Sequence, residues 1–160
     1  MPDLGPLAPG WTPLTPFWES LGTRSFVSSD PDGDRLRVRY YATPEGTARA
    51  RVWFGPGAEG PPGHVHGGAT AALLDEAMGM AALATGRVVV AARIEVDFRQ
   101  MVPLGAVYTV ELATDAADRK VTVTARMLDG DRQLVAEASG VFVDIGTDGL
   151  GRAAEAAGLG

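Results

Sequence analysis

The sequence predicts an α+β domain in which about six antiparallel strands curl around one long buried helix. Three observations carry that expectation. Apolar and polar residues alternate with period 2 in several separate runs, one alanine-rich segment lacks the alternation, and short turn-forming breaks join the runs. The chain has 160 residues, 46% of them apolar and 21% charged, enough for one hydrophobic core and ordinary for a soluble globular protein.

The opening "MPDLGPLAPGWTPLTP" is rich in proline and glycine and reads as an extended or loosely ordered arm. Within it "TPFWESL" (15–21) starts a short helix, with Thr15 as N-cap and Pro16 at the first helical position. Residues 1–22 are therefore set apart as an N-terminal arm. "RLRVRYY" and "TARARVWF" follow as strands joined through "TPEG". Residues 69–85, "ATAALLDEAMGMAALAT", combine strong helix formers and stop before Gly86, a suitable C′ glycine. Their apolar side chains cover nearly the whole circumference, so this helix is expected to be buried on most sides.

The later runs resume the strand rhythm. In "RIEVDFR" Ile94, Val96 and Phe98 alternate with Glu95, Asp97 and Arg99. In "VTVTARM" Val121, Val123, Ala125 and Met127 alternate with Thr122, Thr124 and Arg126. "VYTVEL" and "LVAEASGVFV" follow the same rule, with "DAADR" and "LDGD" as connections. One domain over 23–145 results. The last stretch, 146–160, has little to bury and reads as a flexible tail.

Composition excludes several function classes. The net charge is −6, and the single lysine, Lys120, stands beside thirteen arginines without any basic run, which argues against nucleic acid. Without cysteine there are no disulfides, thiolate metal sites or cysteine nucleophiles. No apolar run approaches the ~20 residues of a membrane span. The first basic residue is Arg24, so a charged signal-peptide start is missing and a cytoplasmic protein is expected.

Chemistry concentrates in "GPPGHVHGGATAALLDEAMG", residues 60–79. His64 and His66 form an H-x-H pair, but no third histidine, cysteine or H-E-x-x-H spacing supports a metal, and none is expected. The plain alternative, one histidine packing or capping and the other solvated, suits His64 better than His66. Gly67 and Gly68 directly precede a helix, where free backbone N–H groups meet the positive end of the dipole. They make either an oxyanion hole or a tight turn into a packed helix.

Asp75 lies among Leu73, Leu74, Ala77 and Met78, where a carboxylate is costly unless it is paired or used. Either it serves chemistry, or one of Asp75 and Glu76 is solvated and the other is paired with Arg93 or Arg99. The two acids are about 100° apart around the helix and cannot form a dyad. Asp75 follows Gly68 by seven residues, on nearly the same face but about 10 Å away along the axis. If both act on one carbonyl, the acid must come from a second, antiparallel copy of the helix, in a symmetric dimer with two shared sites.

The H-G-G-x(6)-D spacing from His66 to Asp75, then "VDFRQMVPLGAVYTVEL" and "DRKVTVTARMLDGDRQLVAEASGVFV", resembles the PaaI-type acyl-CoA thioesterases of the hotdog superfamily over about 35–143. The resemblance implies a hotdog fold, a sheet wrapped around a long central helix, assembled as homodimers that often pair into tetramers. It implies an acyl-CoA substrate and no separate cofactor, because coenzyme A belongs to the substrate. By position, Gly67 or Gly68 polarises the thioester carbonyl, Asp75 of the partner is general base or nucleophile, and His66 orients the loop or bonds near the thioester. Arg119 and Lys120 are candidate phosphate contacts. Arg93, a further substrate-binding candidate, stands where relatives often have asparagine, and Ala91 where they often have serine or threonine. Met78, Met80, Leu83 and "RVVVAAR" are expected to wall the acyl pocket. Two other functions remain: a hotdog acyl-thioester hydratase or dehydratase pairing His64 with Glu76, and a non-catalytic acyl-CoA-binding or regulatory protein.

Overall fold

The computed structural model describes residues 3–30 and 33–158. Among these, the strands are β1 (Thr12–Leu14), β2 (Leu36–Ala42), β3 (Ala48–Phe54), β4 (Val89–Phe98), β5 (Val107–Ala117), β6 (Lys120–Leu128) and β7 (Leu134–Asp144). The helices are α1 (Phe17–Ser20), α2 (Gly67–Ala84) and α3 (Gly146–Ala156). All strands join one antiparallel sheet in the order β1-β2-β3-β5-β6-β7-β4. The expected six are present, and the seventh is the three-residue β1, which pairs Thr12–Leu14 with residues 40–42.

The sheet curls around α2. Leu73, Leu74, Ala77 and Met78 are fully buried against it, and each large side chain so placed contributes about 1.5–3 kcal/mol. Alternate residues of the strands supply the other wall, among them Val52, Phe54, Val110, Val121, Val123 and Met127. Helix and sheet approach closely at Gly140, where a Cβ would stand 3.1 Å from Met78 Sδ and 2.4 Å from Phe142 Cε2. The helix stops where its glycine predicts: Gly86 adopts φ +83, and its N–H donates to Leu83 O at 2.8 Å.

β4 departs from the rule of one wet and one buried face. It is the last strand of the sheet and is exposed along most of its length, including Val90, Ile94 and Phe98. A bulge between Ala91 and Arg93 changes its parity. Ala91, Ile94, Val96 and Phe98 therefore lie opposite Phe142, Gly140, Ala138 and Ala136, the buried face of β7. The apolar residues do point toward the helix side, but of these four only Val96 is partly buried against the core, and Ile94 and Phe98 stay exposed.

The ends are more regular than composition suggests. The N-terminal segment crosses one face of the sheet, where Arg51 donates to Pro6 O at 3.0 Å and Trp11 packs 5.6 Å from Tyr41. After β1 it turns to α1 on the α2 side, where Trp18 packs against the core. α1 begins one residue later than expected: Pro16, with ψ 135, sits at the N-cap, and Thr15 makes no cap. Met1 and Pro2 of the expected arm, and Leu159 and Gly160 of the expected tail, lie outside the described residues. Within the stretch expected to be a flexible tail, Gly146–Ala156 is helical, as its alanines favour, and no residue of α3 is buried. No helix among the described residues is long and apolar enough to cross a membrane.

Candidate active site

The entry to α2 is held rigidly by its loop. Gly60 N–H donates to His64 O (2.9 Å), Val65 N–H to Val102 O (2.8 Å) and His66 N–H to Ala58 O (2.8 Å). Gly60 lies so close to the chain ahead of the helix that a Cβ there would be 2.7 Å from His66 Cα. His66 is the N-cap: its Nδ1 accepts the Gly68 N–H at 2.8 Å, which requires an unprotonated Nδ1. The capping histidine is thus His66, while His64 Nδ1 lies 2.8 Å from Pro62 O.

This cap separates the two glycines. Gly68 N–H is taken by His66, while Ala69 and Thr70 N–H turn to His66 O. Among the described residues Gly67 N–H meets no acceptor, and Gly67 lines a cavity of about 360 Å³ with His64, Val65, Thr70, Phe98 and Met101. An uncommitted N–H at a helix start, in a residue that lines a cavity, suits an anionic oxygen.

Asp75 lines a different cavity, of about 180 Å³, with Phe17, Trp18, Gly79, Met80, Ala91 and Phe142. Burial pushes its carboxyl above the ordinary carboxylate range. Glu76, at the edge of the same cavity, is engaged elsewhere: it accepts from Ser25 Oγ and, at 2.7 Å, from the Tyr40 hydroxyl. Burial first, and the Glu76 charge second, hold the Tyr40 pKa well above its usual value, so Tyr40 remains the donor.

Neither acid pairs with the arginines considered for it. Arg93 is joined to Glu95, and Arg99 to Glu137 and Asp97. Arg93 lies opposite Val141, on the sheet face away from α2, and the structure does not bring it to either cavity. Arg119 and Lys120 are exposed at the Val89 end of β4, where Arg119 donates to Asp144 O at 3.1 and 3.2 Å. They share that end with the Asp75 cavity and are distant from Gly67. Met80 and Leu83 do line the Asp75 cavity, and Met78 lies beneath it in the core. Among the described residues no three His, Cys, Asp or Glu side chains gather as for a metal.

Three residues at these cavities escape sequence reasoning. Phe98 was assigned only to a strand, yet its ring sits 3.4 Å from a Cβ built on Gly67. Phe17 and Trp18 come from the N-terminal segment, and only their aromatic bulk hinted at a buried role.

A family model described as the thioesterase superfamily matches residues 62–136, from the loop ahead of α2 into β7. Over these residues the chain is similar to the thioesterase superfamily. Among curated relatives, acyl-coenzyme A thioesterase THEM5 of Mus musculus is 31% identical over 93 residues, 57% of this chain and 38% of that protein. The chain spans about two fifths of the length of the curated relatives it matches. A solved thioesterase superfamily protein is 31% identical, with a TM-score of 0.64 over 68% of this chain and 54% of the other. The PaaI protein of Escherichia coli, from the phenylacetic acid degradation operon, superposes with a TM-score of 0.66 over 74% of this chain and 87% of its own. At 20% identity that likeness speaks to the hotdog fold, which the curled sheet around α2 displays.

Proposed function

We propose that the protein is an acyl-CoA thioesterase whose active sites are shared between two subunits. The observation that carries this reading is the division of the machinery along α2. A free Gly67 N–H serves one cavity and a desolvated Asp75 another, about 12 Å apart along the helix, at opposite ends of the uncovered β4. An edge strand of ten residues with exposed Val90, Ile94 and Phe98 is a template for pairing. Antiparallel pairing of two β4 strands about their middle sets the Ala91 end of one against the Phe98 end of the other. Each Asp75 half then meets a Gly67 half, and the dimer has two sites.

In such a site the thioester oxygen accepts from Gly67 N–H, while the partner subunit's Asp75 removes a proton from water. The water oxygen adds to the carbonyl carbon, and the negative charge gathers on the oxygen facing Gly67. Collapse breaks the carbon–sulfur bond. The thiolate of coenzyme A leaves and takes the proton from Asp75, and a free acid remains. Direct attack by Asp75, through an anhydride, uses the same geometry. Arg119 and Lys120, at the Asp75 end, are the nearest of the considered cations for the phosphates of coenzyme A. The curated relatives' thioesterase names support the reaction class.

A non-catalytic acyl-CoA binder is the second reading, favoured by Ala91, which puts a methyl group rather than a hydroxyl in the Asp75 cavity. The hydratase pairing has no such support, since Glu76 is bound to Ser25 and Tyr40, while His64 lines the other cavity of its chain. Assay of free thiol release from a panel of acyl-CoAs separates the readings. Asp75→Asn is expected to lower kcat by about 10²–10⁴-fold, the usual worth of a positioned base. Full activity in that variant, or tight binding without turnover in the wild type, contradicts the proposal.

A further inference from the structure

Phe17 and Trp18, outside the thioesterase match, line the cavity at Asp75, and residues 23–29 fasten them in place. α1 is a single turn with no side-chain cap and no buried residue, so it depends on neighbours for its place. Trp18 provides one attachment: its Nε1 donates to Ser28 Oγ at 3.2 Å, and its carbonyl accepts from Thr23 N–H at 3.0 Å. The loop that carries Ser28 is fastened in turn. Ser25 Oγ accepts from Val27 N–H at 3.1 Å and donates to Glu76, whose other oxygen holds the Tyr40 hydroxyl. Ser28 N–H also donates to Ser25 Oγ at 3.4 Å, so a continuous chain of bonds runs from Trp18 through Ser28 and Ser25 to the residue that follows Asp75. Glu76 was the acid left without a chemical role, and this gives it one.

We propose that Phe17 and Trp18 form the wall that limits the acyl group, with Glu76 as the positioning residue that latches the wall onto α2. The inference rests on the thioesterase reading and adds the substrate class. A cavity of about 180 Å³, mainly apolar in its walls, suits a compact acyl group, since an apolar void of about 150 Å³ takes a benzene-sized guest. Long chains meet the indole of Trp18. Gly79 also lines the cavity, and an added Cβ there would meet nothing within 4 Å, so α2 leaves room on that side while Phe17 and Trp18 stand on the other.

The test is a series of straight-chain acyl-CoAs of rising length, scored as kcat/KM by thiol release in wild type, Trp18→Ala, Phe17→Ala, Glu76→Ala and Glu76→Gln. Wild type should favour short chains. Trp18→Ala should raise the long-to-short ratio by about tenfold or more, because each methylene admitted to an apolar pocket is worth a factor of that order. Glu76→Ala should shift the ratio the same way, and Glu76→Gln less, because its amide oxygen still accepts from Tyr40. A merely structural role would lower all substrates alike. An active wild type with an unchanged ratio in Trp18→Ala overturns the wall and leaves the thioesterase reading standing. If no thioester is cleaved, that reading fails, and the wall is judged by calorimetric binding of S-alkyl-CoA thioethers of the same lengths. A preference moved to longer alkyl groups in Trp18→Ala then supports it, and no movement or no binding overturns it.

Discussion

Asp75 is half-buried, and that burial opposes its charge, raising its pKa. The native protein therefore holds this proton more tightly than the unfolded chain does. The contribution of Asp75 to stability is greatest below the ordinary carboxylate value and declines as pH rises through the native value. Urea midpoints measured from acid to neutral pH should show Asp75→Asn gaining on the wild type across that window. Thiol release should rise through the same elevated value, as the base loses its proton. An acid limb at the ordinary carboxylate value would show that burial has no effect on the working group. Gly67 offers an equally sharp substitution. It is the first helical residue, preceded by His66 in an extended conformation (φ −62, ψ 134), so proline suits the backbone there and removes the N–H, while its ring comes within van der Waals contact of Phe98. Gly67→Pro should fold with a wild-type melting profile and lose about 10²–10³-fold in kcat.

At the scale of elements, the glycines matter where backbones or side chains crowd. Gly140→Val would drive a branched side chain into Met78 and Phe142, and overpacking of this kind typically costs about 1–3 kcal/mol. Thermal denaturation would register it, and an unshifted midpoint would mean that α2 can lift from the sheet without strain. The elements were legible in the sequence to different degrees. α2 was predicted within two residues because helix formers and Gly86 act locally. The six long strands were visible because alternation reports a sheet with two unlike faces. β1 was missed because three residues carry no rhythm, and its pairing with β2 is a long-range choice. The bulge at Ala91 and Arg93 was invisible too, since one extra residue alters parity without altering composition.

For the whole molecule, the spacing from Gly68 to Asp75 already indicated that one helix cannot hold a complete site. In three dimensions Gly67 and Asp75 line separate cavities, the division on which the proposed shared site rests. Sequence could not distinguish Gly67 from Gly68, because that depends on how the His66 ring turns back onto the helix start. Nor could it show Phe17 and Trp18 reaching the Asp75 cavity or Ser25 reaching Glu76, a bond between positions 51 apart. The face of β4 that Arg93 takes was not legible for a related reason: it follows from pairing with β7. The central claim is a site built from two chains, and complementation tests it most directly. Gly67→Pro and Asp75→Asn proteins, each nearly inactive, are mixed, briefly unfolded and refolded together, and thiol release is measured. Mixed dimers hold one site with both intact groups, so the mixture should recover about a quarter of wild-type activity. No recovery, with mixed dimers demonstrated by mass spectrometry, would contradict the shared site.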